Sequence, residues 1–165
     1  MKNLIFINGT AGVGKTTTSR ELQKLLPKNV FLDGDWCWYM SPFVVTEETK
    51  AMVIDNMSYL LNSFICCSEY ENIIFCWVMH EQSIIDDILS RLNTQNCNLK
   101  LFSLVCNEEA LTSRLLKDVQ AGIRAEDIIS RSIARIGKYS NLDTEKIDVS
   151  YISAKEAAKI ISTRL

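Results

Sequence analysis

Five short apolar runs punctuate the chain, at Leu4 to Ile7, Val30 to Leu32, Ile73 to Val78, Leu99 to Val105 and Ile147 to Tyr151. The first and third are unbroken by any polar residue, the pattern of a strand covered on both faces in a parallel sheet. Between the runs the hydrophobic spacing changes to that of amphipathic helices, over Lys15 to Leu26, Thr46 to Tyr70, Glu81 to Leu92, Asn107 to Asp118, Ala125 to Lys138 and Ala154 to Arg164. In the longest of these Val53, Met57, Leu60, Leu61 and Phe64 fall three or four residues apart, and Thr46 followed by Glu47 and Glu48 supplies a capping start. Regular alternation of strand and helix predicts an α/β, three-layer sandwich. Right-handed crossovers in such a sheet bring every strand's carboxyl end to one edge, so chemistry-bearing residues are expected just after strands. With only two prolines, Pro27 and Pro42, and no repeat or linker composition, residues 1–165 are expected to form a single domain.

Directly after the first run comes G-T-A-G-V-G-K-T, a complete match to the phosphate-loop pattern G-x-x-x-x-G-K-[ST]. In that pattern backbone N–H groups turn inward around phosphate oxygens, a lysine reaches the β and γ phosphates, and a hydroxyl goes to Mg²⁺. The candidate nucleotide-binding residues are therefore Gly9, Thr10, Ala11, Gly12, Val13, Gly14, Lys15, Thr16 and the adjoining Thr17, with Lys15 also a catalytic candidate and Thr16 a metal ligand. A helix opening at Lys15 adds its free N–H groups and positive dipole end.

The second run ends in Leu32-Asp33-Gly34-Asp35-Trp36, two carboxylates two residues apart, on one face if the strand continues. Phosphoryl transfer needs a base for the acceptor hydroxyl and oxygen ligands for Mg²⁺. Asp35 is the candidate base and Asp33 the candidate metal ligand; the reverse division fits the same spacing, and a plain polar turn fits it too. Trp36, Trp38 and Tyr39 offer ring faces either to an acceptor or to packing. After the third run His80 and Glu81 stand at the same edge, placed to touch an acceptor or metal, although a structural role for His80 as a cap of the next helix is the favoured expectation.

Four arginines, Arg114, Arg124, Arg131 and Arg135, occupy the stretch to Lys138, interrupted by Ala121-Gly122. Their planar, permanently charged forks suit phosphate oxygens, and the glycine break suits a closing lid over about 114–138. Arg124 beside the break is the catalytic candidate, while Arg131 and Arg135 are expected to share a helical face.

A formal charge of −2, from 18 basic and 20 acidic residues, leaves no electrostatic footprint for nucleic acid. The apolar runs are short and no charged leader precedes the first, so a cytoplasmic protein without a membrane partner is expected. Six cysteines without a C-x-x-C pair point to reduced, packed thiols.

Taken in order, the loop at Gly9 to Thr16, the Asp33/Asp35 motif and the arginine segment resemble the small P-loop kinases. Gluconate, shikimate, adenylylsulfate and chloramphenicol kinase-like proteins belong to that group, together with members described loosely as nucleotide kinases or AAA-type ATPases. Leu32-Asp33-Gly34-Asp35 is similar to the adenylylsulfate kinase motif. The resemblance implies a P-loop nucleoside triphosphate hydrolase fold with a five-stranded parallel sheet in the order 2-3-1-4-5, ATP and Mg²⁺ as ligands, and a carboxylate base after strand two. It also implies an adenine-side role for Arg114 and a base-contacting turn after Ile147-Asp148-Val149-Ser150. The acceptor-specific arginines of shikimate kinases are missing, as is the histidine that gluconate kinases carry beside the strand-two carboxylates, so the acceptor does not transfer. The expected function is a small-molecule kinase acting on a hydroxyl or phosphate acceptor, as a monomer or homodimer. A nucleotide-binding module without catalysis and a regulatory NTPase are the alternatives. For the latter Glu145-Lys146-Ile147-Asp148 is only a near miss to [NT]-K-x-D, and an AAA-type machine would need a third strand ending in Asp-Glu.

Overall fold

A computed structural model describes residues 1–165. Five parallel strands, β1 (Lys2–Asn8), β2 (Asn29–Asp33), β3 (Asn72–Cys76), β4 (Cys97–Val105) and β5 (Glu145–Asp148), lie in the order β2-β3-β1-β4-β5. Six helices separate or follow them: α1 (Lys15–Leu25), α2 (Glu47–Cys66), α3 (Gln82–Ser90), α4 (Glu108–Gln120), α5 (Asp127–Ile133) and α6 (Ala154–Ser162).

Strand periodicity sorts the side chains into two cores. Ile5, Ile7, Ile74, Cys76, Phe102 and Leu104 face one side, where they meet Leu22 of α1, Leu111 and Leu115 of α4 and Ala157, Ala158 and Ile161 of α6. Leu4, Phe6, Leu32, Ile73 and Phe75 face the other, against Val53, Met57 and Leu61 of α2 and Ile85 and Ile88 of α3. Because β1 is covered on both faces, its central residues are almost fully buried, which is why it reads as an unbroken apolar run.

Several boundaries differ from the sequence expectation. β3 stops at Cys76, so Trp77 and Val78 lie beyond the sheet. β5 is drawn back to Glu145–Asp148. The expected helix over residues 125–138 is α5 followed by a 3-10 segment, Ile136–Asn141. Ile128, Ile129, Ile133 and Ile136 pack on the first core, but Tyr139 and Leu142 belong to the second. The chain crosses from one face of the sheet to the other here, and one straight helix cannot bury both sets. α2 starts as expected, with Thr46 and Thr49 forming a reciprocal cap. No helix is long and apolar enough to cross a membrane.

Candidate active site

β1 sits where the strand order reverses, with β3 on one side and β4 on the other, and the loop that leaves it crosses the sheet's carboxyl edge. Asn8 closes the strand. Its buried amide donates to the Met79 carbonyl at 2.6 Å, and its Oδ1 accepts from Met79 N–H and Gly9 N–H, each at 2.8 Å. The start of the loop is thereby clamped to the segment after β3. Gly12, at φ +82°, turns against α4, and Gly14, at φ +106°, opens α1 with free space on its outer side. Only glycine takes both turns without strain.

A cavity of about 400 Å³ lies over this loop, in the size range of small-ligand sites. Residues 11–18 form its floor, with Asp35, Arg114, Arg124 and Ser153 around it. Lys15 Nζ folds back to donate to the Thr10 carbonyl at 3.0 Å. Burial lowers the Lys15 pKa below its ordinary value, while the charges of Asp35 and Asp33 pull it upward. An anionic ligand would restore the field that burial withholds.

The carboxylates are not two residues of one strand face. Asp33 ends β2 and caps a 3-10 turn, Gly34–Trp38, its Oδ1 accepting from Asp35 N–H at 3.1 Å. Its other oxygen accepts from Thr16 Oγ1 at 2.6 Å. Asp33 is buried, while Asp35 opens to the cavity. Withdrawal from water and the neighbouring Asp33 charge push the Asp35 pKa above its ordinary value; the charges of Lys15 and Arg124 oppose this. One carboxylate buried against Thr16 and the other open to the cavity suit distinct roles.

Arg114 bridges the site, donating to the carbonyls of Val13 in the loop and Val149 after β5. Arg124 is held by Asp118 at 3.0 Å, and its charge reaches both Lys15 and Asp35. The other two arginines part company. Arg131 pairs with Asp127 on the exposed side of α5, whereas Arg135 lies beyond the helix, so the two do not form the expected pair.

A second cavity of about 520 Å³ adjoins the first, with Val78 lining both. Trp38, Trp77, Ile54 of α2, Ile84 of α3, His80 and Arg135 surround it. His80 does not cap α3: Glu81 holds the cap position without a side-chain bond, and His80 Nδ1 is buried with no partner. Of the three aromatics after β2, Trp38 lines this cavity, Trp36 packs edge-on against Phe31 at 5.3 Å, and Tyr39 is exposed.

Residues that sequence reading did not single out include Asn8 and Trp77; Thr10, expected at the nucleotide, also donates its hydroxyl to the Ser132 carbonyl of α5 at 3.0 Å. Asn8 alone carried a signal, as a polar residue ending an otherwise apolar strand.

Comparison with solved structures gives the same arrangement throughout the chain. The tunicamycin resistance protein of Deinococcus radiodurans superposes with a TM-score of 0.70 at 18% identity, covering 99% of this chain and 95% of that one. Shikimate kinase from Acinetobacter baumannii gives 0.67 at 18% identity, covering 99% and 93%. A gluconokinase from Sinorhizobium meliloti 1021 gives 0.67 at 15% identity, covering 95% and 87%. No curated protein matches the chain. Identities this low establish a common fold. A family described as AAA domain matches residues 5–135, which take in the phosphate loop, both carboxylates and the four arginines from Arg114 to Arg135, although β3 ends at Cys76 and is followed by Trp77, not by an acid pair. This chain belongs to that AAA domain family, in the fold of the small P-loop kinases.

Proposed function

We propose that the protein is an ATP- and Mg²⁺-dependent kinase that transfers the γ-phosphoryl group to a hydroxyl of a small molecule held in the second cavity. The observation that carries this reading is the position of Asp35, which faces the phosphate-loop cavity, while Val78 lines both that cavity and the neighbouring one.

Residues 9–17 and the N-terminus of α1 hold the triphosphate through backbone N–H groups, and Lys15 exchanges the Thr10 carbonyl for phosphate oxygens. Arg114 lies toward the base, beside the turn after β5. The Thr16 hydroxyl and the Asp33 carboxylate, already 2.6 Å apart, are hard oxygen donors that fit Mg²⁺, and this pair would hold it. Bound there, the ion would offset charge on the phosphate oxygens.

Asp35 takes the proton from the acceptor hydroxyl as that oxygen bonds to the γ-phosphorus. The bond from phosphorus to the β–γ bridging oxygen breaks, and its electron pair leaves with ADP. Its raised pKa makes Asp35 a stronger base than an ordinary aspartate. Lys15 and Arg124 face the developing negative charge. Thr10, by anchoring α5 to the loop, sets where the arginine-bearing segment rests.

The test is ADP release from Mg-ATP across hydroxylated small molecules, with Lys15→Ala as control and Asp35→Asn as probe. Stimulation lost in Asp35→Asn while ATP binding persists supports the reading; equal stimulated rates in that variant would remove Asp35 as the base.

A further inference from the structure

The second cavity has a chemical character that narrows its occupant. Its walls are mainly apolar: the indoles of Trp38 and Trp77 with Val45, Ile54, Val78 and Ile84. Against such walls most hydroxyls of a polyol would find no partner, at about 1–3 kcal/mol for each buried without one.

Five polar residues, Lys50, His80, Ser83, Asp87 and Arg135, complete the lining, and two of their charges are engaged elsewhere. Lys50 is paired with Glu47 at 2.8 Å, and Asp87 with Arg91 at 2.9 Å. Arg135 alone among the charged lining residues has no ion pair and no side-chain hydrogen bond, yet its charge is felt at His80 and at the buried Tyr139. Beside it, His80 Nδ1 is buried and unpartnered, an orphan group that a bound ligand would satisfy. Burial, with the charges of Arg135 and Lys138, lowers the His80 pKa, leaving a neutral imidazole at neutral pH. The cavity therefore presents one free cation, Arg135, with the neutral His80 beside it, and the Ser83 hydroxyl as its other uncharged polar side chain. A nucleoside monophosphate, whose phosphate carries up to two charges, finds only one uncompensated cation here.

We infer that the acceptor is a hydroxylated ring compound, apolar over most of its surface, that carries one anionic group. This inference rests on the kinase reading of the adjoining site. The ring stacks between the tryptophans, the anion meets the Arg135 fork beside His80, and the hydroxyl points past Val78 and Trp77 to Asp35.

Calorimetric titration of the full chain, loaded with a non-hydrolysable ATP analogue, tests it with four probes: 4-(hydroxymethyl)benzoate, its neutral amide, gluconate and adenosine monophosphate. The benzoate is expected to bind best. Arg135→Met should weaken benzoate binding about tenfold, as expected for a charge-assisted contact, while leaving the amide unchanged. Trp77→Leu should weaken both, and both variants should keep the affinity for the ATP analogue, which also reports their folding. Tighter binding of gluconate or the nucleotide, no benzoate binding beside intact analogue binding, or equal effects of Arg135→Met on acid and amide would each overturn the inference. Benzoate binding as expected, without Lys15-dependent ADP release from any hydroxyl probe, would leave the ligand assignment standing and remove the kinase reading.

Discussion

Gly34→Ala probes the joint between the carboxylate turn and the second cavity. A β-carbon at Gly34 would lie 2.6 Å from Cγ, 2.7 Å from Cδ1 and 2.9 Å from Cβ of Trp77. Packed carbons sit about 3.5–4.0 Å apart, so something must retreat by about 1 Å. The crowded atoms are the root of the indole and not its tip, and rotating the side chain cannot clear them all. Either Trp77 moves, straining its N–H bond to the Ile7 carbonyl, or the turn bearing Asp35 does. Gly34 does not lie in the left-handed region, so the backbone accepts alanine and the cost is steric. Overpacking of this kind costs about 1–3 kcal/mol, or about 2–4 °C in Tm for each kcal/mol in a domain of this size. For turnover, a misplacement of about 1 Å between Asp35 and the acceptor is worth about a hundredfold.

Thermal unfolding, titration with an ATP analogue and acceptor-stimulated ADP release separate these effects. Gly34→Ala should lower Tm and stimulated turnover but keep nucleotide affinity, because the phosphate loop belongs to β1. Gly137→Ala is the control: its β-carbon would meet nothing within 4 Å, and its Tm should stay at that of the parent. A Gly34→Ala protein with parental Tm and turnover would refute the coupling of the turn to Trp77.

Tyr139 is almost fully buried with an unpartnered hydroxyl, so Tyr139→Phe is expected to stabilise the protein by about 1 kcal/mol; a fall in Tm would mean the hydroxyl is bonded. Asp35 must be ionised to accept a proton and its pKa is raised, so turnover should fall on acidification with a midpoint above that of an ordinary aspartate. A pH profile flat through that range argues against Asp35. The same elevation means the folded state holds this proton more tightly than the unfolded chain, and stability drops as pH rises from the ordinary to the raised value. Asp35→Asn should therefore raise Tm at neutral pH and lose that gain in acid, as melting curves at both pH values would reveal. Thr10→Val removes the bond to the Ser132 carbonyl, costing about 0.5–1.5 kcal/mol and speeding amide exchange in α5; unchanged exchange there would dissolve the proposed anchor.

Most of the fold was legible because β1, β3 and their neighbours are covered on both faces, which writes each strand as a compact apolar run. Errors arose where hydrophobicity served something other than a strand or a single helix. Trp77 and Val78 prolong the β3 run but line cavities beyond the sheet. Ile133, Ile136 and Tyr139 keep near-helical spacing, yet they bury on opposite faces, and the helix breaks between them. The Asp33/Asp35 pair was visible, but its geometry was not: strand pairing ends at Asp33, and the capping bond to Asp35 N–H bends the second carboxylate toward the cavity.

The two halves of the candidate site differ in legibility for a physical reason. A triphosphate is gripped mainly by consecutive backbone N–H groups, and consecutive groups leave a contiguous motif, here Gly9 to Thr16. The second cavity draws Trp38 from the turn after β2, Ile54 from α2, Trp77 and His80 from the segment after β3, and Arg135 from beyond α5. Each of these, read along the chain, looks like core packing, a helix cap or a surface cation. Their meaning appears only when β2 and β3 pair side by side and the crossing segment after α5 carries Arg135 over to the face that holds α2 and α3. The phosphate loop would survive transplantation into many chains of this fold, whereas the second cavity depends on five separate segments, α3 among them, arriving together. On the proposed kinase reading, substitutions at Trp38, Trp77, His80 and Arg135 should accordingly change which molecule is phosphorylated far more than how ATP is held.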